Sequence, residues 1–284
     1  MKAPPHPPLS PATLTPLPAE LAWSGLTHCG RVRPNNEDAF LGLAFDRHDI
    51  IHLGKTGRAS LAMHDLVFAV SDGMGGARAG EFASRIAVDR ITRLLPRGFR
   101  RAGAGPDEAL GELFAAIHHD LLQLGQSYEE CADMGATLSL AWFTPGQMAF
   151  AHVGDSRIYH LPAAGGRQQL THDHTHVGWL RRNGQVNERE AREHPRRNAL
   201  NQVLGAGQQL LDPQFGVVAH QPGDRFLLCT DGLVDGLWDH RLEEIIREPG
   251  SDGAAPTTAA RLIEAALAQS GRDNLTAVVV EVAG

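Results

Sequence analysis

Four acidic positions in this chain could together hold metal ions. Asp72, Asp231 and Asp273 each stand at the edge of a strongly apolar run of the β type. Asp72 and Asp231 are each followed by glycine, where the backbone can approach a ligand closely. The fourth position is the pair Glu37-Asp38. If the strands lie in one sandwich, we expect these carboxylates to converge at one end of it.

The chemistry that such a carboxylate cluster favours is the binding of divalent cations. Clustered carboxylates repel one another and raise each other's pKa unless a cation neutralises them. Ligand sets made only of oxygen favour hard ions such as Mg²⁺ or Mn²⁺. An acidic residue at a strand end is also a common turn former, and for one Asp-Gly pair alone that is the simpler interpretation. Four such positions in one chain favour metal binding.

The apolar pattern predicts the elements that must bring these acidic residues together. Short β-type runs end in polar, turn-forming residues and span 66–70, 136–143, 148–153, 226–229 and 275–282. Stripes with helical spacing span 82–94, which Pro96 is expected to end, 110–124 and 257–270. Because strands cluster and helices cluster, the pattern favours an α+β fold with mainly antiparallel sheets. We expect a four-layer α-β-β-α sandwich, with helices flanking two sheets.

Length and composition narrow the class of protein. The 284 residues suit one large domain or two small ones, and 42% hydrophobic with 21% charged residues is ordinary for a globular protein. The formal net charge of −7 provides no overall positive field for nucleic acid or an anionic membrane. No apolar run approaches the roughly 18 residues of a membrane span. Three widely separated cysteines form no CxxC pair, which favours a reducing, cytoplasmic setting.

We predict three parts along the chain. Residues 1–20 are rich in proline and lack the apolar core of a secretory signal, so we expect an extended, disordered tail, with a docking segment as the alternative. Residues 21–284 are expected to form one catalytic domain that carries the acidic positions. Within it, a polar, arginine-rich stretch at about 171–207 interrupts the strands and is expected to form a small flap subdomain.

Eight segments of the chain, in one order, resemble a known family. The chain resembles the PPM family of metal-dependent protein serine/threonine phosphatases, the protein phosphatase 2C type, and especially its bacterial members. The resemblance covers about residues 25–282. The matching segments are RVRPNNEDAF, VSDGMGGARAGEFAS, MGATLSLAWF, AHVGDSRIYHL, LTHDHTHVGWL, HPRRNALNQVLG, LLCTDGLVDGL and RDNLTAVVVEV.

The resemblance implies a centre with two Mn²⁺ or Mg²⁺ ions and gives each acidic residue a role. Asp72 would bridge the two ions, joined by the backbone carbonyl of Gly73. Glu37 would face one ion, and Asp231 and Asp273 would hold the other. These five residues are therefore the expected metal ligands.

Four neighbouring residues receive supporting roles from the same resemblance. Asp38 would act in catalysis by orienting bound water, and Arg33 would grip the substrate phosphate, because its planar fork matches phosphate oxygens bidentately. Asp133 is the candidate ligand for a third, weaker ion, with an ordinary loop aspartate as the alternative. Asp155 is expected to support the site structurally without binding an ion.

The implied reaction is hydrolysis of phosphoserine and phosphothreonine by a metal-activated water that attacks phosphorus in line. No Cys-x₅-Arg loop is present for a covalent alternative. Many eukaryotic relatives carry a histidine, taken as the general acid, at the position of Met74. A thioether cannot donate a proton, so the sequence does not identify the general acid.

The predicted flap carries two further signals. His172, His174 and His176 have a spacing that could bind zinc, but the family has a Leu-Thr-x-Asp-His stretch here, and an ordinary flap base is the simpler interpretation. Arginines make the flap basic in an acidic chain, either as a solvated face or to help capture phosphorylated, acidic substrates. They are Arg181, Arg182, Arg192, Arg196 and Arg197.

Two alternative functions stay open from the sequence. One is a non-catalytic phosphoprotein-binding module on the same fold, against which the intact set of acidic residues argues. The other is a hydrolase of small phosphoesters, for which neither a P-loop nor a base-stacking motif is present. The resemblance implies phosphorylated protein substrates, with the phosphatase opposing a bacterial Ser/Thr kinase and its targets. We expect a cytoplasmic monomer without nucleic-acid or membrane partners.

Overall fold

The computed structural model describes residues 20–76, 78–99, 105–208, 210–248 and 256–283. The strands are β1 (Glu20–His28), β2 (Asp38–Phe45), β3 (Ile50–His52), β4 (Thr56–Ser60), β5 (Asp65–Met74), β6 (Gly135–Ala136), β7 (Leu138–Thr144), β8 (Gln147–Val153), β9 (Arg157–Leu161), β10 (Gln168–Gln169), β11 (Leu204–Gly205), β12 (Gln214–Ala219), β13 (Arg225–Cys229) and β14 (Leu275–Ala283). The helices are α1 (Ala79–Phe99), α2 (Pro106–Ser127), α3 (His176–Arg182), α4 (Glu188–Glu193), α5 (Asp231–Gly236), α6 (Asp239–Arg247) and α7 (Thr258–Gln269). The tail predicted over 1–20 lies outside the described residues, except for Glu20.

The strands form two antiparallel sheets. In the described part of the chain, one sheet has six strands in the order β10-β9-β13-β14-β1-β4. The other has eight, with β11-β6-β5-β7-β8-β12 along its main path and β2 and β3 added beside β5. This arrangement confirms the predicted α+β class and its antiparallel sheets.

Three apolar layers hold the sandwich together. The middle layer lies between the two sheets and includes Phe68, Phe143 and Phe226. One outer layer packs α1 and α2 on the eight-stranded sheet, and the other packs α5, α6 and α7 on the six-stranded sheet. Each large apolar side chain buried in these layers stabilises the fold by about 1.5–3 kcal/mol. The order of layers is the expected α-β-β-α.

Burial on both faces explains why the central strands read as continuous apolar runs. In β5, Phe68 and Val70 face the layer between the sheets, whereas Val67 and Ala69 face α1 and α2. Successive side chains of a strand point to opposite faces, so a strand buried on both needs apolar residues at every position. These runs stop where the strands reach the polar end of the sandwich.

The first long helix passes the residue that was expected to end it. Pro96 lies inside α1, which continues to Phe99, so the predicted stop is wrong. Proline removes one i→i−4 hydrogen bond and its ring crowds the carbonyl four residues before it. Only three residues of α1 follow Pro96, so little of the helix lies beyond this disturbance.

The stretch from 171 to 207 lies against the sandwich edge and contains α3, α4 and β11. Both helices begin at capped residues: the Thr175 side chain accepts a hydrogen bond from the Gly178 N–H, and Asn187 and Glu190 form a reciprocal capping box. Among the described residues, no helix is long and apolar enough to cross a membrane.

Candidate active site

Four carboxylates converge at one end of the sandwich, where strands of both sheets finish. Asp72, near the end of β5, lies opposite Asp38 at the start of β2. Asp231 begins α5 directly after β13, and Asp273 precedes β14. The antiparallel pairing of β13 with β14 brings the end of one strand to the start of the other. The topology thus places residues from distant parts of the chain around one point.

Three of these carboxylates, Asp72, Asp231 and Asp273, border one cleft of about 420 Å³. Asp38 is buried and does not line it, while Thr137, Asn198 and Leu200 form further parts of the wall. The predicted site residues that line the cleft are Arg33, Glu37, Asp72, Gly73, Asp231 and Asp273.

Among the residues that the structure describes, only one of the two carboxylate oxygens of Asp38 has hydrogen-bond partners. Its Oδ2 accepts hydrogen bonds from the hydroxyls of Thr230, at 2.8 Å, and Thr276, at 2.7 Å. Its Oδ1 is buried and has no hydrogen-bond partner within the described ranges. Burial raises the pKa of Asp38 to about 7. An orphaned buried oxygen of this kind is costly unless a water or a ligand satisfies it.

Burial and mutual repulsion raise the pKa of the central carboxyls. Burial and the neighbouring Asp38 and Asp231 raise the pKa of Asp72 well above its ordinary value. The pKa of Asp231 is also raised, by burial and by Asp155 and Asp235. These groups cannot all ionise in a buried site without added positive charge. An oxygen-only, partly unsatisfied cluster therefore fits hard divalent cations.

Glycines let three backbone segments meet beside Glu37. The Gly73 N–H donates a hydrogen bond to the Glu37 carbonyl at 3.1 Å, and a Cβ at Gly73 would collide with the Gly80 carbonyl. A Cβ at Gly80 would stand 2.8 Å from Glu37 Oε2. The start of α1 can approach the end of β5 only because both positions lack a side chain.

Asn274 fixes the loop that carries Arg33 and Glu37. Its Oδ1 accepts a hydrogen bond from the Glu37 N–H at 2.7 Å, and its Nδ2 donates to the carbonyls of Cys29 and Asn35. This residue was not predicted from the sequence. Its signal was a polar residue between Asp273 and a fully apolar strand, where a buried amide needs several partners.

Arg33 is paired with one of the predicted ligands. Its Nη2 donates to Asp273 Oδ2 at 2.8 Å, and its side chain is 52% exposed. As the side chains stand, no three His, Cys, Asp or Glu residues in the described part of the chain surround a point that could hold an ion. The Arg33–Asp273 pair is one physical reason, since a guanidinium occupies an oxygen that an ion would need.

Asp133 lies outside the cleft, whereas Asp155 forms part of its wall. Asp133 is exposed on a turn, with φ of 61°, and does not line the cleft, so its role as ligand of a third ion stays a prediction. Asp155, expected to be structural support, lines the cleft. Burial, followed by the charge of Asp173, raises the pKa of Asp155 to about 7.

The three flap histidines do not come together. His174 packs against His152, with ring centroids 4.9 Å apart, and its Nδ1 accepts a hydrogen bond from the Gly154 N–H. His176 instead stacks on Trp179 at 6.2 Å. Burial lowers the pKa of His152 to about 3 and that of His174 to about 4, so both rings stay neutral. His152 and His174 thus pack together at the flap base.

A buried charge network joins this flap base to the sandwich. Arg157 donates two parallel hydrogen bonds to Asp173, at 2.8 and 2.6 Å, and a third to the Tyr159 hydroxyl. Tyr159 donates to Asp239 at 3.1 Å, and Asp239 also accepts from Arg181 of α3 at 2.6 Å. The network therefore connects β9, the flap and α6, one layer behind the cleft.

Comparison with known proteins decides the family. The family model described as protein phosphatase 2C matches residues 55–273. The chain belongs to the protein phosphatase 2C family. It is 33% identical over 260 residues to a serine/threonine phosphatase of Listeria monocytogenes, covering 90% of this chain and 93% of that protein.

Two further similarities are to proteins named PstP, the first of them from Mycobacterium tuberculosis. The chain is 31% identical over 268 residues to the serine/threonine protein phosphatase PstP, covering 92% of this chain and 45% of that protein. The crystal structure of the PstP catalytic domain with two manganese ions aligns with a TM-score of 0.73 at 28% identity, covering 94% of this chain and all of that one. The sandwich is thus the fold of this phosphatase family.

Proposed function

We propose that this chain is a metal-dependent protein phosphatase that hydrolyses phosphoserine and phosphothreonine in proteins. The observation that carries the proposal is the convergence of buried carboxylates with Arg33 in one cleft at the end of both sheets. Carboxylates supply the ligands for hard cations, and an exposed arginine at the same cleft supplies a partner for a phosphate.

Five residues are proposed to hold two Mn²⁺ or Mg²⁺ ions. They are Asp72 with the carbonyl of Gly73, Glu37, Asp231 and Asp273, all of which line the cleft. When bound, such a pair of ions supplies Lewis acidity, which lowers the pKa of a water and balances charge on a phosphoryl group.

The other residues position water and substrate. Asp38 has one oxygen fixed by two hydroxyls and the other unused, so it can accept a proton from a water and orient it. Arg33 can bind two phosphate oxygens through its planar fork. Met74 lines the cleft where a donor could stand but has none, so the leaving oxygen takes its proton from another source.

The proposed substrates are phosphorylated proteins. The protein is proposed to act as a monomer in the cytoplasm, where it would oppose a Ser/Thr kinase. Cys29, Cys131 and Cys229 are all free thiols, and Cys29 is exposed, which suits a reducing compartment.

Removing metal is the direct test of this function. With a phosphothreonine peptide, we expect EDTA to lower phosphate release at least about 10³-fold and excess Mn²⁺ to restore it, because several kcal/mol of charge stabilisation are lost. A nucleoside triphosphate assayed alongside should be a poor substrate. Turnover that persists in EDTA would contradict the proposal, and faster nucleotide hydrolysis would favour a small-phosphoester hydrolase.

Replacing Arg33 should weaken the binding of the substrate phosphate and strengthen the binding of Mn²⁺. Arg33→Ala is expected to lower kcat/KM about 10²-fold, and Arg33→Lys to recover only a small part, because an ammonium cannot bind bidentately. The Mn²⁺ concentration for half-maximal activity should fall in Arg33→Ala, since Asp273 loses its guanidinium partner. The exposed Arg58→Ala is the control. Unchanged kcat/KM in Arg33→Ala would exclude Arg33 from phosphate binding.

A further inference from the structure

A second concavity lies beside the active-site cleft, between α4 and the helices α5 to α7. We call it the arginine groove. Its volume is about 830 Å³, and Leu237, Trp238, Ala265 and Ala268 form its apolar part. Its acidic residues are Glu193 and Asp235. Its arginines are Arg189 and Arg192 of α4, Arg197, Arg241 of α6, and Arg272.

The arginine groove is adjacent to the catalytic cleft. Arg197 lines the groove and the next residue, Asn198, lines the cleft. In the same way Arg272 lines the groove and Asp273 lines the cleft. Consecutive Cα atoms are only about 3.8 Å apart, so at two separate places the wall passes from groove to cleft within one residue. The walls of the groove and the cleft therefore adjoin at these two places.

The groove arginines differ in how firmly they are held. Arg192 is only 19% exposed, lies 4.4 Å from the centre of the Trp238 ring and donates to the Leu237 carbonyl, so it forms part of the floor. Arg189 is 78% exposed and Arg241 is 48% exposed. Each pairs with an acidic residue on its own helix. Exposed ion pairs of this kind are weak and exchange partners readily.

The charge of the groove contrasts with that of the whole chain. The protein carries a formal net charge of −7, so its overall field does not favour an acidic peptide. Five arginines and two acidic residues line the groove beside the cleft. Four of these arginines form ion pairs with carboxylates, namely Glu193, Glu188, Asp235 and Glu244. Such a local patch attracts acidic segments and disfavours basic ones.

We propose that the arginine groove binds acidic residues that flank the phosphorylated residue of a protein substrate. The proposal rests on the phosphatase function proposed above and adds a substrate preference to it. An extended peptide advances about 3.3 Å per residue, so side chains about two to four positions from a phosphothreonine in the cleft reach the groove. Their carboxylates would pair with Arg189, Arg241 and Arg272, and the Trp238 ring would contact their aliphatic parts.

The experiment compares two phosphothreonine peptides that differ only in flanking charge. One carries Glu at the second to fourth positions on both sides, and the other carries Gln there. We expect wild-type kcat/KM to be about tenfold higher for the Glu peptide, mainly through KM, and the ratio to fall as NaCl rises. In Arg189→Gln/Arg241→Gln, the ratio should fall to about two or less. Peptides with Glu on one side only then show the direction in which substrate lies.

The matched control is Arg58→Gln/Arg93→Gln, which removes two exposed, ion-paired arginines from β4 and α1, outside the groove. It should keep the tenfold ratio. Equal kcat/KM on the Glu and Gln peptides in wild type would overturn the inference. An equal fall of the Glu-to-Gln ratio in both double variants would overturn it as well. A parallel loss of p-nitrophenyl phosphate turnover in Arg189→Gln/Arg241→Gln would also overturn it, because this substrate is too small to reach the groove. Absence of metal-dependent turnover on every substrate would instead overturn the phosphatase function itself.

Discussion

Asp231→Asn is expected to abolish turnover and, at the same time, to make the metal-free protein more stable. Activity on a phosphothreonine peptide should fall at least about 10³-fold at saturating Mn²⁺, because one of the proposed anionic ligands is lost and cation binding would supply several kcal/mol. The asparagine keeps the shape of the side chain, so the fold should be unchanged. Phosphate release and circular dichroism together check both statements.

The gain in stability follows from the raised pKa of Asp231. In the folded protein its carboxylate is buried beside other acidic groups, chiefly Asp155 and Asp235, whereas the unfolded chain exposes it to water. In EDTA at pH 7.5, Asp231→Asn should therefore raise the free energy of unfolding by roughly 1–2 kcal/mol, the range of other stabilising substitutions. In the proposed metal site, this charge would lower the stability of the fold until cations neutralise it.

The pH dependence of this gain has a definite sign. Because the folded pKa lies above the ordinary value of 3.8, the carboxyl is protonated in both states below about pH 4 and the penalty is absent there. The penalty grows as pH rises towards the raised folded pKa. The difference in unfolding free energy between variant and wild type should therefore increase from pH 4 to pH 7.5 in EDTA.

Asp89→Asn is the matched control, since it removes the same charge from the exposed face of α1, where Asp89 is 55% exposed. It should change neither activity nor stability by more than about 0.5 kcal/mol. If Asp231→Asn instead destabilises the protein in EDTA, or retains activity near that of wild type, Asp231 is not part of an uncompensated metal-binding cluster.

The sandwich was predictable because its strands are long, apolar and buried on both faces. Acidic residues at the ends of such runs had to reach solvent at the sheet edge, which is why the convergence of Asp72, Asp231 and Asp273 followed from the sequence. In an antiparallel pair the end of one strand lies beside the start of its neighbour, so residues that follow one strand and precede the other can meet at one end of the sheet.

Short helices and long-range contacts were not predictable in the same way. Residues 231–236, Asp-Gly-Leu-Val-Asp-Gly, have two glycines and no helical period, yet they form α5 because Leu233 and Val234 pack into the layer beneath α7. The pairing of Arg33 with Asp273 joins residues 240 positions apart, and no local pattern encodes it. The positions of Asp155 in the cleft wall and of Asp133 outside it also depend on tertiary contacts, which the sequence does not show.

Arg157→Met should be the most destabilising single substitution among these buried charges. Asp173 is 13% exposed, and burial alone would raise its pKa, but the charge and hydrogen bonds of Arg157 hold it below its ordinary value. Removing the guanidinium leaves this carboxylate uncompensated and takes a partner from Tyr159. The free energy of unfolding should fall by about 3–5 kcal/mol, measured by urea titration at pH 7.5.

The double variant Arg157→Met/Asp173→Asn separates buried charge from lost packing. The introduced asparagine carries no charge and can still accept the hydrogen bond that Gln169 donates to this position, so at least about half of the lost stability should return. The exposed Arg58→Met, 66% exposed in its pair with Glu20, should shift stability by less than about 0.5 kcal/mol. A loss below about 1 kcal/mol in Arg157→Met, or no recovery in the double variant, would mean that the flap base is held by packing alone. In that case the network behind the cleft would not be what fixes the flap.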